Sequence, residues 1–214
     1  MSVLLVDDHE LVAETLAVSL RAEGIDVVRC GSIHPDAVLA AIEEYRPHLV
    51  LLDLDLGGRT ALPLIGPAIE RGSRVVILTG ETDVVRLAEC VEAGASGVLS
   101  KGERFERLLD ELHRAARGEE LLSERRRVEL ADTLRDARSE RERRLTPFVA
   151  LTAKEQAVLA ALMEGSSAEQ IAREAFVSLS TVRSQIAAVL SKLGVNSQLS
   201  AVAAARAADW HPTD

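Results

Sequence analysis

Five short apolar runs punctuate the first 117 residues: SVLLV (2–6), DVVRC (26–30), HLVLLDL (48–54), RVVILT (74–79) and SGVLS (96–100). Between them, Leu11–Ala22, Ala37–Glu44, Ala61–Glu70 and Val84–Ala93 carry apolar residues at three- and four-residue spacing, the mark of helices with one buried stripe. Gly24, Gly72 and Gly94 stand where those helices should stop. Strands interleaved with helices imply an α/β unit: a doubly wound, five-stranded parallel sheet covered on both faces. In such sheets ligands bind beyond the carboxyl ends of the strands, at the topological switch point.

The chain has 214 residues, enough for one or two domains, and 47% of them are apolar, enough for ordinary cores. Its start, MSVLLVDDHE, has no basic stretch and reaches two aspartates early, unlike a signal peptide. No apolar run approaches the roughly 20 residues that span a bilayer, so no membrane partner is expected and the expected location is cytoplasmic. Cys30 and Cys90, with no CxxC or nearby His, read as buried or free thiols in a reducing compartment.

Charge divides the chain into three. Residues 1–117 hold 12 basic and 20 acidic side chains (net −8), residues 118–145 hold 8 of each, and residues 146–214 hold 5 and 6 (net −1). The middle segment lacks proline, and Glu140–Arg144, Glu124–Arg127 and Asp132–Arg135 have helical ion-pair spacing. Its heptad seam runs from Leu121 and Val128 into Arg135 and Glu142, which favours a charged helical linker over a dimerising coiled coil. In the third segment, Thr152 and Glu155 form a capping-box pattern for a helix over Ala153–Met163. Ser167 opens a second helix through Arg173. Ser178 or Ser180 caps a third that ends before Gly194, and Leu199–Ala208 forms a fourth. The turn EAFVSLS between the second and third gives a helix-turn-helix pattern in an all-α, four-helix unit.

Asp7 and Asp8 end the first strand, Asp53 the third and Thr79 the fourth, and Lys101 follows the fifth. All five therefore converge on one sheet edge. Three clustered carboxylates repel, and a divalent cation with oxygen ligands is the usual remedy. The hydroxyl and ammonium beside them suit phosphoryl oxygens, and Asp53 is placed to act as a carboxylate nucleophile toward phosphorus.

LLVDDHE, LVLLDLDL, VVILTG and GASGVLSK resemble the receiver domain of bacterial two-component response regulators, over residues 2 to about 117. The resemblance implies a flavodoxin-like fold and Asp53 phosphorylated by a histidine kinase. It further implies Mg²⁺ held by Asp8, Asp53 and the Asp55 carbonyl with Asp7 assisting, and Thr79 and Lys101 on the phosphoryl oxygens. Three departures from the family stand out. Val98 replaces the Tyr or Phe three residues before the Lys that serves as the moving switch. Gly57 replaces a frequent proline, which implies a more flexible loop. Acidic Asp55 and Glu81 occupy positions that influence hydrolysis, implying an altered lifetime for the aspartyl phosphate.

Residues 151–205 resemble the four-helix DNA-binding domain of the LuxR/NarL type, through the Leu-Thr start, Glu155, Val158-Leu159, Gly165, Ile171-Ala172, Ser178, Thr181-Val182 and KLGV at 192–195. The helix after the turn would bring Ser180, Thr181, Arg183, Ser184 and Gln185 to the major groove, with Gln185 suited to adenine, Ala187 or Ala188 to a thymine methyl and Lys192 as a further cation. Arg183 is the candidate for guanine, with a phosphate contact as its alternative. So few cations imply weak non-specific binding, a shallow salt dependence and reliance on a homodimer, for which the fourth helix is the candidate contact.

The domains are expected at 1–117 (receiver), 118–145 (linker) and 146–214 (helix-turn-helix). The whole reads as a phosphorylation-controlled transcription regulator of promoter DNA and not as an enzyme. One alternative is an atypical regulator switched by a partner or ligand, which Val98 and Gly57 motivate. Another is a haloacid-dehalogenase-like phosphohydrolase, which Asp53-x-Asp55 would fit. That family, however, starts at its Asp-x-Asp strand and places metal-binding acids after the Lys, whereas here the acidic pair comes first.

Overall fold

The computed structural model describes residues 1–212. The chain forms two compact units, Met1–Arg135 and Asp136–Asp214. The first contains β1 (Ser2–Val6), α1 (Glu10–Ala22), β2 (Asp26–Arg29), α2 (Pro35–Tyr45), β3 (Leu49–Asp53), β4 (Asp55–Leu56), β5 (Arg59–Thr60), α3 (Leu62–Glu70), β6 (Arg74–Thr79), α4 (Val84–Glu92), β7 (Gly97–Ser100) and α5 (Phe105–Ala116). A long helix, α6 (Glu124–Val149), follows. The second unit holds α7 (Ala153–Met163), α8 (Ala168–Glu174), α9 (Leu179–Leu193) and α10 (Gln198–Ala207). No single helix among the described residues is long and apolar enough to cross a membrane.

The five main strands are parallel in the order β2-β1-β3-β6-β7, as the interleaved pattern implies. Successive residues of a strand point to opposite faces, and the core follows that parity. Leu4, Val6, Val50, Leu52, Val75 and Ile77 face a core completed by α2 and α3. Val3, Leu5, Leu49, Leu51, Val76 and Leu78 face another, made with α1 and α5. Every residue of β3 is buried, which is why its sequence shows no polar alternation. Each fully buried Leu of this kind contributes about 1.5–3 kcal/mol. The strand order reverses between β1 and β3, so the switch point lies where Asp7, Asp8 and Asp53 emerge.

Two elements went unread in the sequence. Helix α5 buries Leu108, Leu112 and Ala115 at four- and three-residue spacing. The loop after β3 is not the flexible segment that Gly57 suggested. Asp55 pairs with Thr60 and Leu56 with Arg59 in a small hairpin, whose two turn residues, Gly57 and Gly58, have φ of +61° and +80°. A tight two-residue hairpin of this hand needs positive φ at both positions, so the glycines here build a defined turn. Cys30 and Cys90 are free, and burial pushes the Cys90 thiol up to about 11, away from reactive thiolate chemistry.

The units meet at Arg135/Asp136, inside the segment 118–145 expected as a linker. Asp132–Arg135 and Glu140–Arg144 pair as their spacing implies, each at 2.8 Å, but Arg127 pairs with Glu120 instead of Glu124. The first half of α6 is not solvated all round, because Leu130 and Leu134 are buried against Ala88 of α4.

In the second unit Thr152 and Glu155 form the expected capping box, and Ser167 with Gln170 forms another. Ser178 caps α9, which ends at left-handed Gly194. Glu155 Oε2 accepts from the Thr152 N–H (2.6 Å), the Thr152 hydroxyl (2.9 Å) and Lys192 Nζ (2.6 Å), pinning the start of α7 to the end of α9. The Lys192 ammonium and the Thr152 N–H hold the Glu155 carboxyl below the ordinary range. A depressed carboxylate pKa adds stability above the unfolded value, and this is lost as pH falls through the folded one. Glu155→Gln is therefore expected to lower stability at neutral pH by about 1–2 kcal/mol. It should also flatten the loss of stability below pH about 4.5, which chemical unfolding across pH would show; an unchanged acid limb would count against this role.

Candidate functional site

The acidic cluster forms where β1 and β3, the two strands of the reversal point, end. Asp7 follows β1 directly, and its side chain is almost wholly enclosed. Asp53, the last residue of β3, is 3% exposed. The Lys101 ammonium lies 2.7 Å from both Asp7 Oδ2 and Asp53 Oδ2. Lys101 is held there because its backbone N–H donates to the Thr79 carbonyl at 2.9 Å, closing β7 onto β6. The arrangement is an ammonium shared by two buried carboxylates, brought together from residues 7, 53 and 101. Asp7 Oδ2 is enclosed and accepts no well-directed hydrogen bond, so Lys101 reaches it as an ion pair only.

The remaining donors are backbone groups and one imidazole. Asp53 Oδ1 accepts the Asp55 N–H at 3.3 Å, and Asp8 Oδ2 accepts the Gly57 N–H at 2.9 Å, so the glycine hairpin orients an acid of β1. His9 Nδ1 lies 2.7 Å from Asp8 Oδ1, 3.3 Å from Asp7 Oδ1 and 3.8 Å from Asp53 Oδ2. Sequence reasoning missed His9; its place directly after the acidic pair was the available signal. Asp7, Asp8, His9 and Asp53 offer ligand atoms within 4.8 Å of one another.

Burial pushes the Asp53 carboxyl up, against the opposing Lys101 hydrogen bond and charge. Burial also works to raise Asp8, but the Gly57 N–H and the neighbouring His9 outweigh it and hold it low. Lys101 is pulled down by burial and up more strongly by Asp53 and Asp7, so it stays a cation. Thr79 is buried, and its hydroxyl accepts the Glu81 N–H at 3.0 Å. Glu81 itself turns to the start of α4, where its carboxylate takes the Thr82 and Asp83 N–H groups and pairs with Arg86. Asp55 is exposed and its carboxylate accepts the Gly58 N–H at 3.0 Å within the hairpin.

A second candidate surface lies on α9. Val182, Ile186 and Val189 are buried, which leaves Ser180, Arg183, Ser184 and Ala187 exposed along the opposite side. The Ser178 hydroxyl sits 2.8 Å from that of Ser180 and 2.7 Å from that of Thr181, ordering the first turn. Arg183 is exposed, with Glu169 of α8 3.7 Å away. Thr181 is exposed as well and, with half-exposed Gln185, lines a groove against Lys154, Ala157 and Ala175. Lys192, expected to be a free cation, has its ammonium committed to Glu155.

Both units have known counterparts. Residues 3–113 match the response regulator receiver domain, and residues 149–205 match the bacterial regulatory proteins of the luxR family. The chain is 30% identical over 204 residues to a nitrate/nitrite response regulator protein homolog of Haemophilus influenzae, covering 94% of each. It is 31% identical over 199 residues to the DNA-binding transcriptional activator DevR/DosR of Mycobacterium tuberculosis, covering 91% of this chain and 89% of that one. Among solved structures it shares its fold with a two-component response regulator RcsB–DNA complex, at a TM-score of 0.51 and 23% identity, over 96% of this chain and 98% of that one. An acid pair on the first strand, an Asp closing the third and a Lys after the fifth are thus joined in one chain to a helix-turn-helix. The protein belongs to the response regulators, with a receiver domain and a LuxR-type DNA-binding domain.

Proposed function

We propose that Asp53 is the phosphoacceptor through which a histidine kinase controls DNA binding by this regulator. The single observation that carries the assignment is the Lys101 ammonium at 2.7 Å from both Asp53 and Asp7. It lets a carboxylate persist in a buried site and leaves a cation in place for the charge that a phosphoryl group brings. In the transfer, an Asp53 oxygen bonds to phosphorus as the bond from phosphorus to the kinase histidine nitrogen breaks. Lys101 and the Thr79 hydroxyl stand at the developing phosphoryl oxygens.

The donor set fits Mg²⁺: carboxylates from Asp7, Asp8 and Asp53 beside the Asp55 backbone, with Asp7 Oδ2 lacking a well-directed hydrogen bond. Mg²⁺ supplies neutralisation of phosphoryl charge when bound. Asp8 and Asp53 would hold it, with Asp7 assisting and the Gly57 N–H keeping Asp8 oriented. We place the protein in the cytoplasm, where kinase and promoter are both reached.

For DNA, the exposed strip Ser180, Arg183, Ser184 and Ala187 is the reading surface, with Thr181 and Gln185 at its edge. Lys192 supports α9 through Glu155 instead of meeting phosphates. The available cations are then few, so binding relies on a homodimer that presents two α9 helices one helical turn apart. Helix α10, with Leu199 80% exposed, is the proposed contact.

Incubation with acetyl phosphate and Mg²⁺ should add one phosphoryl mass to the wild-type chain and none to Asp53→Asn. Labelling of the variant at wild-type yield would remove Asp53 from the role. With duplexes selected from a random pool by the wild-type protein, Arg183→Ala should cost about 1–3 kcal/mol and relax one guanine position. A uniform loss across all sequences would instead make Arg183 a phosphate contact. The log–log salt slope should be no steeper than about −3 per protomer, since each neutralised phosphate adds about −0.9.

A further inference from the structure

We propose that His9 is a ligand of the divalent cation at the acidic cluster, and that its imidazole nitrogen makes the site favour a first-row transition metal ion over Mg²⁺. The proposal rests on the reading of that cluster as a cation site and adds to it a donor of a different element. The acids and the Asp55 backbone supply oxygen alone, the donor that suits Mg²⁺, whereas imidazole suits iron, nickel and zinc.

Spacing carries the argument. Ligands set at right angles around an ion about 2.0–2.1 Å away stand roughly 3 Å from one another. His9 Nδ1 is 2.7 Å from Asp8 Oδ1, 3.3 Å from Asp7 Oδ1 and 3.8 Å from Asp53 Oδ2. One ring nitrogen thus keeps inter-ligand spacing from three acids at once. Other groups leave it these oxygens. The Gly57 N–H holds Asp8 Oδ2 at 2.9 Å, and Lys101 lies 2.7 Å from Asp7 Oδ2, so Oδ1 of each acid faces the imidazole. Asp7 adds a second sign. Its Oδ2 is enclosed and ion-paired with Lys101 but accepts no well-directed hydrogen bond, which leaves a lone pair for a cation.

The ring does nothing for the fold. His9 is the N-cap residue of α1, yet its side chain makes no capping hydrogen bond. It is 63% exposed, so burial does not hold it. Its backbone sets its place instead: the His9 N–H donates to Asp7 Oδ1 at 2.8 Å, and its carbonyl accepts the Ala13 N–H at 2.9 Å. The first turn of α1 is thereby fixed beside the acids with the imidazole turned toward them. Lys101 Nζ lies 3.4 Å from the same Nδ1, so a positive charge already stands beside this nitrogen. The competing account is a ring held only as an ion-pair partner of the acids. It predicts the opposite response, because a bound cation would then have to displace the ring.

Calorimetric titration of the full chain with Co²⁺ and with Mg²⁺, in wild type, His9→Ala and Asp53→Asn, tests this. Co²⁺ binds almost any nitrogen–oxygen site more tightly than Mg²⁺, so the wild-type preference by itself decides nothing. The decisive quantity is the part of it that His9→Ala removes. Co²⁺ affinity is expected to fall by at least about tenfold, the lower bound for residues that only orient ligands. Mg²⁺ affinity is expected to stay within about threefold, because a water replaces the ring. An exposed ring without cap or core contacts can be removed without unfolding the chain. The Co²⁺-loaded wild type should also show a strongly shifted, solvent-exchangeable proton signal from the His9 ring N–H, absent from both variants. Co²⁺ affinity that is unchanged or raised in His9→Ala, or that falls no more than Mg²⁺ affinity, overturns the nitrogen ligand. Mg²⁺ binding that depends on Asp53 would then leave the cation site standing. If neither ion binds in a way that depends on Asp53, the cation site is overturned and the part of His9 with it.

Discussion

One ammonium between two buried carboxylates organises the receiver unit. Without Lys101, Asp7 and Asp53 would face each other across the reversal point of the sheet with only His9 near both. Burial alone would push such acids toward protonation, and a protonated Asp53 is no nucleophile. The ion pair also has a geometric cost that the fold must meet: β1, β3, β6 and β7 have to end in one plane. They do so because β3 is apolar throughout and pairs with β1 and β6 residue for residue, Leu51 with Leu5 and with Val76.

Much of this was legible in residue order. Strand parity, the strand-end acids and the capping residues Thr152, Ser167 and Ser178 are local or periodic signals, and each sits where its spacing implies. What escaped shares a different character. His9 stands directly after the acidic pair, but only its side-chain orientation brings it into the cluster. The Gly57–Gly58 pair looked like flexibility, because a sequence shows that glycine permits positive φ but not that a hairpin requires it. The Lys192–Glu155 contact joins residues 37 apart, and only the fold shows that this cation is already engaged.

That last contact sharpens the charge argument for the DNA-binding unit. A segment poor in cations is poorer still when one of them stabilises α9 from within. Counterion release then supplies little affinity, which leaves more to be supplied by sequence-reading contacts. Arg183, by contrast, is exposed, with Glu169 3.7 Å away.

The same logic of scarce resources applies to switching. Moving a two-state equilibrium from mostly one state to mostly the other takes about 5.5 kcal/mol of differential interaction. A ring at position 98 would supply part of that by exchanging burial for exposure, and valine cannot.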